Sequence, residues 1–295
     1  MIRKYVLTAV VFCMCTAARN PAPKYDVPPD RMVAATIDGQ TARLLVMANG
    51  IDYPVLNPAT AAKLGLKGGF IVAHINVGPV MLKGDTVVVR LGVDGPPAKR
   101  RALWFDRPIA AAADGALGPG ALPQSVISFQ LRPAKAGEKN FVLPLIRRDD
   151  QMGTALAVGG ESLFVQFDLG RGQTLATAAA GQKLAQAYQG QLEGPASRIA
   201  IRFGVERPVR ALALASPVAI GPITIRHVVV RIADSGSTAG IADADAVDES
   251  EIVVTAKGKG KPLFRMAIGT DALAGCSSIS FDKPGKRIIL SCVAP

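Results

Sequence analysis

The chain has 295 residues, a length that suits one or two domains with a sizeable buried core. Its 30 Gly and 21 Pro residues, together with frequent Val and Ile, favour short strands and many turns. The formal net charge is +11, but Lys and Arg are spread in small groups without a long basic run. This distribution argues for a soluble, loosely cationic surface and against nucleic-acid binding.

The N-terminus has the features of a secretory signal peptide. Arg3 and Lys4 precede an apolar run over residues 5–15, which is too short to span a bilayer, and small residues follow at 16–18. We expect cleavage after about residue 18 and a periplasmic or secreted protein, with an uncleaved anchor as the alternative. Cleavage would lower the net charge to +9, because Arg3 and Lys4 are lost. Residues 19–31, rich in Pro and charge, are expected to form a tether.

Two segments of the chain match when one is shifted by 120 positions without a gap. Gly50 then falls on Gly170, and Lys63-Leu64 falls on Lys183-Leu184. An apolar strand precedes each segment, and a short Ala-rich helix is predicted in each, over residues 57–66 and 177–189. A repeat of such long period indicates one structural unit that occurs twice.

Further landmarks recur later in each unit. Residues 77–80 resemble residues 220–223, and both are soon followed by Val-Val-Val-Arg. Leu117-Gly118 is matched by Ile268-Gly269. The predicted units are therefore residues 32–146 and 152–295, joined by a linker around residues 147–151.

The order of these motifs resembles that of the aspartic peptidase superfamily, the retropepsin-like and pepsin-like proteins. Each lobe in that family carries an apolar strand that ends in Asp-Thr-Gly, followed later by an apolar pair and Gly, here Leu117-Gly118 and Ile268-Gly269. The resemblance covers roughly residues 33–292. It implies an all-β, two-lobed acid-protease-like fold made of two duplicated β-barrel lobes with short helices, and a cleft between the lobes.

Catalysis in that family requires two carboxylates, one from each lobe, which share a proton. Asp168 stands at the second-lobe position, but the gapless alignment places Ala48 at the first. The Thr positions hold Asn49 and Leu169, neither of which can supply the family's hydroxyl bond across the lobes. The expected cleft-loop residues are Ala48, Asn49, Gly50, Asp52, Leu169 and Gly170.

Asp168 therefore has two interpretations. It is either the surviving half of a catalytic pair or a structural residue that accepts backbone hydrogen bonds within its own loop. Asp52 could reach the cleft as a substitute acid. No metal-ligand or nucleophile–histidine pattern is visible, and we predict neither a metal nor another cofactor.

Cys276 and Cys292 are predicted to form a disulfide. They flank a strand, a Pro-Gly turn and a second strand. In a hairpin centred between Pro284 and Gly285, the residue numbers of two directly opposed positions add up to 569. The residue numbers of the two cysteines add up to 568, so they lie nearly opposite each other. Nearly opposed residues on antiparallel strands lie within disulfide reach, and an exported protein would keep the bond oxidised.

An acidic insertion, residues 234–251, interrupts the second unit and is expected to be a solvated loop without the spacing of a calcium site. The apolar stretch that follows contains Ile252, Val253 and Val254. It resembles the TonB-box segments of outer-membrane receptors, which bind by strand addition. An ordinary strand is the simpler interpretation.

Three functions follow as hypotheses. The first is an exported peptidase homologue with impaired catalysis that binds extended peptide in its cleft. The second is an active aspartic endopeptidase that uses Asp168, either in a dimer or with a substitute acid. The third is an envelope scaffold whose partner docks on Ile252, Val253 and Val254. Oligomeric state and ligand identity do not follow from the sequence.

Overall fold

The computed structural model describes residues 23–234, 236–245 and 262–294, and it is mostly β with few helices. The predicted signal peptide and the stretch with Ile252, Val253 and Val254 lie outside the described residues. Within those ranges, neither helix has the length and apolar character that a membrane crossing requires.

We call residues 23–148 the N-terminal half. Its elements are β1 (Lys24–Val27), β2 (Met32–Ile37), β3 (Gln40–Val46), β4 (Val55–Leu56), α1 (Pro58–Lys63), β5 (Val72–Val77), β6 (Val80–Gly92), β7 (Ala98–Phe105), β8 (Gly115–Leu117), a 3₁₀ turn (Pro119–Ala121), β9 (Val126–Gln130), β10 (Lys139–Pro144) and β11 (Ile146–Arg148).

We call residues 149–294 the C-terminal half. Its elements are β12 (Gln151–Val158), β13 (Glu161–Phe167), β14 (Leu175–Ala176), α2 (Ala178–Tyr188), β15 (Gly190–Arg202), β16 (Val205–Ile220), β17 (Ile223–Arg231), β18 (Ala242–Asp243), β19 (Arg265–Ile268), β20 (Cys276–Asp282) and β21 (Arg287–Cys292).

The N-terminal half is built on a seven-stranded sheet with the order β2-β3-β8-β4-β7-β6-β5. Because β2 also pairs with β6, six of these strands close into a barrel and β5 remains as an edge strand. Side chains alternate between the barrel interior and solvent, as the period of a strand requires. In β3, for example, Leu44 and Val46 are fully buried.

The C-terminal half is built on a nine-stranded sheet with the order β11-β12-β13-β19-β14-β17-β16-β15-β18. Its central pairings repeat those of the first half. Strand β13 runs parallel to β19 as β3 does to β8, and β14 is parallel to β17 and antiparallel to β19, as β4 is to β7 and β8.

A third sheet, with the order β1-β9-β20-β21-β10, contains strands of both halves. The final strand β21 lies between β20 and β10, and β10 comes from the N-terminal half. Strand pairings therefore cross the predicted boundary at residue 146, because β10 and β11 pair with strands of the C-terminal half.

The disulfide between Cys276 and Cys292 is confirmed. The strand register has a sum of 569 from Ser278 to Asp282, as the hairpin arithmetic predicts, and then shifts. An irregularity at Ser277 brings Cys276 directly opposite Cys292, so the one-position mismatch in the sequence is absorbed by a bulge.

Both predicted helices are present but shorter than their sequence ranges. Helix α1 begins with Pro58 after Asn57, and α2 begins after Thr177, whose side chain accepts a hydrogen bond from the backbone N–H of Ala180. Proline at the first helical position and a threonine N-cap are common helix-starting features.

Two expectations about loops need correction. Residues 24–27, within the predicted tether, form β1 and pair in parallel with β9. The described part of the acidic insertion is held to the sheet: β18 pairs with β15, and Arg210 makes ion pairs with Asp243 and Asp245. In both places, partners distant in sequence supply pairing that local composition does not reveal.

Candidate functional site

The loop after β3 is anchored to the end of β8. Val46 is paired with Leu117, and the backbone N–H of Met47 donates to the Leu117 carbonyl oxygen at 2.9 Å. The loop after β13 is anchored in the same way to β19. Phe167 is paired with Ile268, and the N–H of Asp168 donates to the Ile268 carbonyl oxygen at 2.8 Å.

These two hydrogen bonds show that the gapless alignment of the two repeats is wrong by one residue at the first loop. If Leu117 is matched with Ile268, then Met47, and not Ala48, occupies the place of Asp168. In the strands that follow the two loops, β4 and β14, equivalent residues are again 120 positions apart. Val55 pairs with Ala116 as Leu175 pairs with Ala267. The first loop is therefore one residue longer than the second, which a gapless comparison could not reveal.

The side chains agree with this correction. Ala48 is almost fully buried, and its methyl group belongs to the hydrophobic core. Met47 instead lines a cavity of about 150 Å³ that Asp168 also lines, together with Asn49. The two loops thus border one cavity between the halves, with the thioether of Met47 at the position that corresponds to Asp168.

Gly50 and Gly118 hold the first loop tightly against the end of β8. A Cβ atom on Gly50 would lie 2.8 Å from the Gly118 Cα, and one on Gly118 would lie 2.3 Å from the Gly50 carbonyl oxygen. Such distances leave no room for a side chain at either position.

Asp168 is held within its own loop. Its Oδ1 accepts a hydrogen bond from the backbone N–H of Gly170 at 3.0 Å, and its Oδ2 lies 3.5 Å from Arg171 Nε. The Asp168 side chain is 14% exposed. Both contacts compensate the negative charge, which fits the structural interpretation of Asp168.

The same cavity is lined by four arginines of the C-terminal half: Arg171, Arg202, Arg231 and Arg265. Burial lowers the pKa of Arg202, Arg231 and Arg265. In each case a carboxylate opposes the effect: Asp168, Asp234 and Asp149, respectively. These three guanidinium groups nevertheless stay protonated, because the pKa of arginine lies so far above neutral pH.

The carbonyl oxygen of Asn49 joins the halves at the cavity. It accepts hydrogen bonds from Gln151 Nε2 at 2.7 Å and from Arg202 Nη2 at 3.2 Å. Gln151 also accepts from Arg265 at 2.7 Å through its side-chain oxygen. Asn49 therefore contributes its backbone to the site.

Asp52 lies outside this cavity. Its carboxylate is 8% exposed, pairs with Arg147 and packs against Gly120. Burial raises its pKa, and the hydrogen bond and charge of Arg147 oppose that rise. The structure does not bring Asp52 together with Asp168.

Leu169 and Gly170 lie on the far side of the Asp168 loop. Leu169 lines a separate cavity of about 320 Å³ beside Arg31 and Thr270. A Cβ atom on Gly170 would contact Asp168 Oδ1 at 3.4 Å and Arg31 at 3.7 Å. The Asp168 loop thus borders two cavities, and Leu169 and Gly170 do not line the one that Asp168 lines.

A wider cavity of about 800 Å³ adjoins the first and shares with it Ile75, Asn76, Gln151, Arg202, Leu263 and Arg265. One wall is formed by β5, the edge strand of the N-terminal sheet. The exposed Ile71 and Val72 lie at its border.

Each half extends a hairpin to the other. The turn of the β15–β16 hairpin carries Phe203, which is 4% exposed and lies with its ring centroid 4.8 Å from that of Phe105 in β7. The turn of the β5–β6 hairpin lies against the C-terminal half: a Cβ atom on Gly78 would be 2.7 Å from Asp234 and 3.1 Å from Arg207. Residues next to both turns, among them Val77 and Arg202, line the cavity of Asp168.

Sequence reasoning missed the arginines, Met47 and Phe203. Arg231 ends the apolar run Val228-Val229-Val230, and a charge at the end of a buried strand was an available signal. Phe203-Gly204 between two strands could have indicated a hairpin turn. The convergence of the four arginines depends on strand order, which the sequence does not supply.

Neither the known protein-family models nor the curated proteins include a match to this chain. Within the described ranges, no group of three or more His, Cys, Asp or Glu residues could hold a metal ion.

Proposed function

We propose that this chain is an exported, two-lobed protein of the aspartic-peptidase type that binds extended peptide between its lobes and has lost peptidase activity. The repeated strand pairings of the two halves support the duplicated lobes. The disulfide supports export, since such bonds persist in oxidising compartments.

The free edge of β5 is the observation that carries the peptide-binding proposal. Within the described residues no strand pairs with its outer edge, and the strand forms a wall of the wider cavity. An exposed strand edge offers backbone N–H and C=O groups to an extended peptide, while alternate side chains enter pockets. The volume of about 800 Å³ accommodates several side chains.

The cavity lacks the second carboxylate that acid-protease catalysis requires. Asp168 is the one carboxylate that lines its cavity in the described part of the chain, and Met47 occupies the corresponding position of the first loop. A pair of carboxylates that shares a proton is therefore missing. Met47 and Asn49 of the N-terminal half line the same cavity as Asp168. Their presence opposes an approach of Asp168 from a second chain.

Peptide binding is tested with a library of short synthetic peptides and the full exported chain. Binders should lose affinity when alternate backbone amides are N-methylated, because the methyl group removes the N–H that pairs with β5. Methylation in the other phase should have little effect. If no peptide binds, or if both methylation phases are tolerated, the proposal fails.

Catalysis is tested by cleavage of casein and peptides between about pH 3 and 7. We expect no cleavage above background from the natural chain, from Asp168→Ala, from Ala48→Asp or from Met47→Asp. The last variant places a second carboxylate opposite Asp168, but Arg171 still neutralises Asp168 and Leu169 still lacks a hydroxyl. Robust cleavage by the natural chain that Asp168→Ala abolishes would establish an active enzyme instead.

A further inference from the structure

The cavity beside Asp168 is lined by hydrogen-bond donors that have no acceptor. Gln166 is 7% exposed, and its buried side-chain amide nitrogen has no hydrogen-bond partner among the described residues. Two guanidinium groups of the same lining also have a buried Nε without a hydrogen-bond partner there: Arg231 and Arg265. The Nε of Arg171 makes no hydrogen bond either, but it lies 3.5 Å from the Asp168 carboxylate. Orphaned buried donors are costly and rare, so a cluster of them in one cavity needs an explanation.

The charges of the lining are not balanced. Three of its four arginines have a carboxylate within ion-pair distance: Asp168 beside Arg171, Asp234 beside Arg231 at 2.7 Å, and Asp149 beside Arg265. Arg202 has none among the described residues and donates only to the neutral Asn49 carbonyl. The charge of Asp168 also acts on Arg202 at longer range, but Asp168 is already paired with Arg171. Four guanidinium groups thus share three carboxylates, and a bound anion would neutralise the remaining positive charge.

We infer that this cavity is a subsite for an oxyanion, a carboxylate or phosphoryl group carried by the bound peptide. The inference rests on the proposed function, because it assigns the polarity of one part of that cleft. Unpaired N–H donors and a surplus guanidinium match the acceptor oxygens of such a group. The volume of about 150 Å³ is below the roughly 300–1,000 Å³ of whole-ligand pockets, which suits one small group of a larger ligand.

The subsite is tested without peptide by titrating the full chain with sodium glutarate and with inorganic phosphate. Calorimetry gives the affinity, and ¹⁵N NMR of the arginine Nε–H groups gives the location. We expect at least one of the two to bind and to shift the signals of Arg171, Arg231 and Arg265. Absence of binding by both anions would overturn the inference.

Arg202→Gln should weaken anion binding at least about tenfold, because it removes a charged donor. The matched control is Arg198→Gln on the same strand, since Arg198 is 63% exposed and does not line the cavity. Equal loss in both variants, or no loss in Arg202→Gln, would contradict the inference.

A second variant covers the case in which Arg202→Gln does not fold. Gln166→Glu keeps the side-chain shape and places a carboxylate among the donors. It should raise Tm at neutral pH by about 2–4 °C and abolish the response to glutarate and phosphate. A fall in Tm would mean that the cavity disfavours an oxyanion.

Peptides distinguish the two sources of the anion and separate this inference from the proposed function. A Gln-to-Glu change in a binding peptide tests the carboxylate, and a Ser-to-phosphoserine change tests the phosphoryl group. Peptide binding that neither change improves would leave the proposed function intact and reject the subsite. Anion binding without any peptide binding would leave the anion site intact and reject the proposed peptide-binding function.

Discussion

Phe203 and Phe105 lie 98 positions apart and in different halves of the chain, yet their ring centroids are 4.8 Å apart. Phe203 and Gly204 form the two-residue turn between β15 and β16, with φ of 53° and 65°. Positive φ at both positions is typical of a type I′ hairpin turn, in which Asn-Gly is preferred and an aromatic residue is rare. The contact with Phe105 therefore compensates an unfavourable backbone conformation.

The first prediction concerns this contact. Phe203→Ala should lower the free energy of unfolding by about 3 kcal/mol, as for other buried aromatic residues, and increase hydrogen exchange at the hairpin turn. Phe203→Asn loses the same packing but favours the turn, so it should be less destabilising than Phe203→Ala by about 0.5 kcal/mol. Urea unfolding measures both, and wild-type stability in either variant would contradict the role assigned to the ring.

The second prediction concerns the contact between Gly118 and Gly50. Gly118→Ala should destabilise the protein by about 1–3 kcal/mol, because its methyl group would meet the Gly50 backbone and not a flexible side chain. Gly172→Ala, in the other loop, is the control, since a Cβ atom there meets nothing within 4 Å. Thermal unfolding compares the two, and similar Tm values would show that the first loop can move aside.

The third prediction concerns the pH dependence of stability at Asp52. Arg147→Gln removes the main influence that lowers the pKa of this buried carboxyl, so the pKa should rise further above its usual range. Above that pKa, the ionised carboxylate should cost about 1 kcal/mol, a modest value because Arg147 is 54% exposed. The deficit should shrink as the pH falls and the carboxyl takes up a proton.

Urea unfolding at neutral pH and near pH 4 measures this deficit. Arg226→Gln is the control, since Arg226 is exposed and forms no ion pair among the described residues. A deficit of the same size at both pH values would show that Asp52 does not cause it.

The fourth prediction concerns the disulfide. Replacing Cys276 and Cys292 together with Ser should lower the free energy of unfolding by about 3 kcal/mol on the chain-entropy estimate. Reductant should produce a similar loss in the natural protein and no further loss in the double variant. If the natural protein is insensitive to reductant while the bond is shown to be broken, the bond contributes nothing to stability.

The sequence predicted those features that depend on neighbouring residues. The helices after Asn57 and Thr177 have local starting signals, and the hairpin of Cys276 and Cys292 has a turn at its centre. The repeat also predicted that the loops near residues 48 and 168 are related, but it misplaced the first by one residue. A loop insertion is visible only through the hydrogen bond from Met47 to Leu117.

The arginine-lined cavity could not be predicted in this way. Arg171, Arg202, Arg231 and Arg265 come from a loop and three different strands, and only the sheet order brings them together. The burial of Asp52 beside Arg147 likewise depends on how the linker passes the first loop. Such sites arise from tertiary packing, for which a single sequence carries little signal.

The sheet shared by the halves also constrains the order in which the chain can fold. Strand β9 has β1 on one side, but its other neighbour, β20, lies about 150 residues further along the sequence, and β10 is separated from its partner β21 by a similar distance. The N-terminal barrel can close early, because all its strands precede residue 118. The contacts of the shared sheet are among the most distant in sequence, so we expect this sheet to be the slowest to assemble. A truncation that removes β21 would thus leave β10 and β20 with unpaired edges in both halves at once.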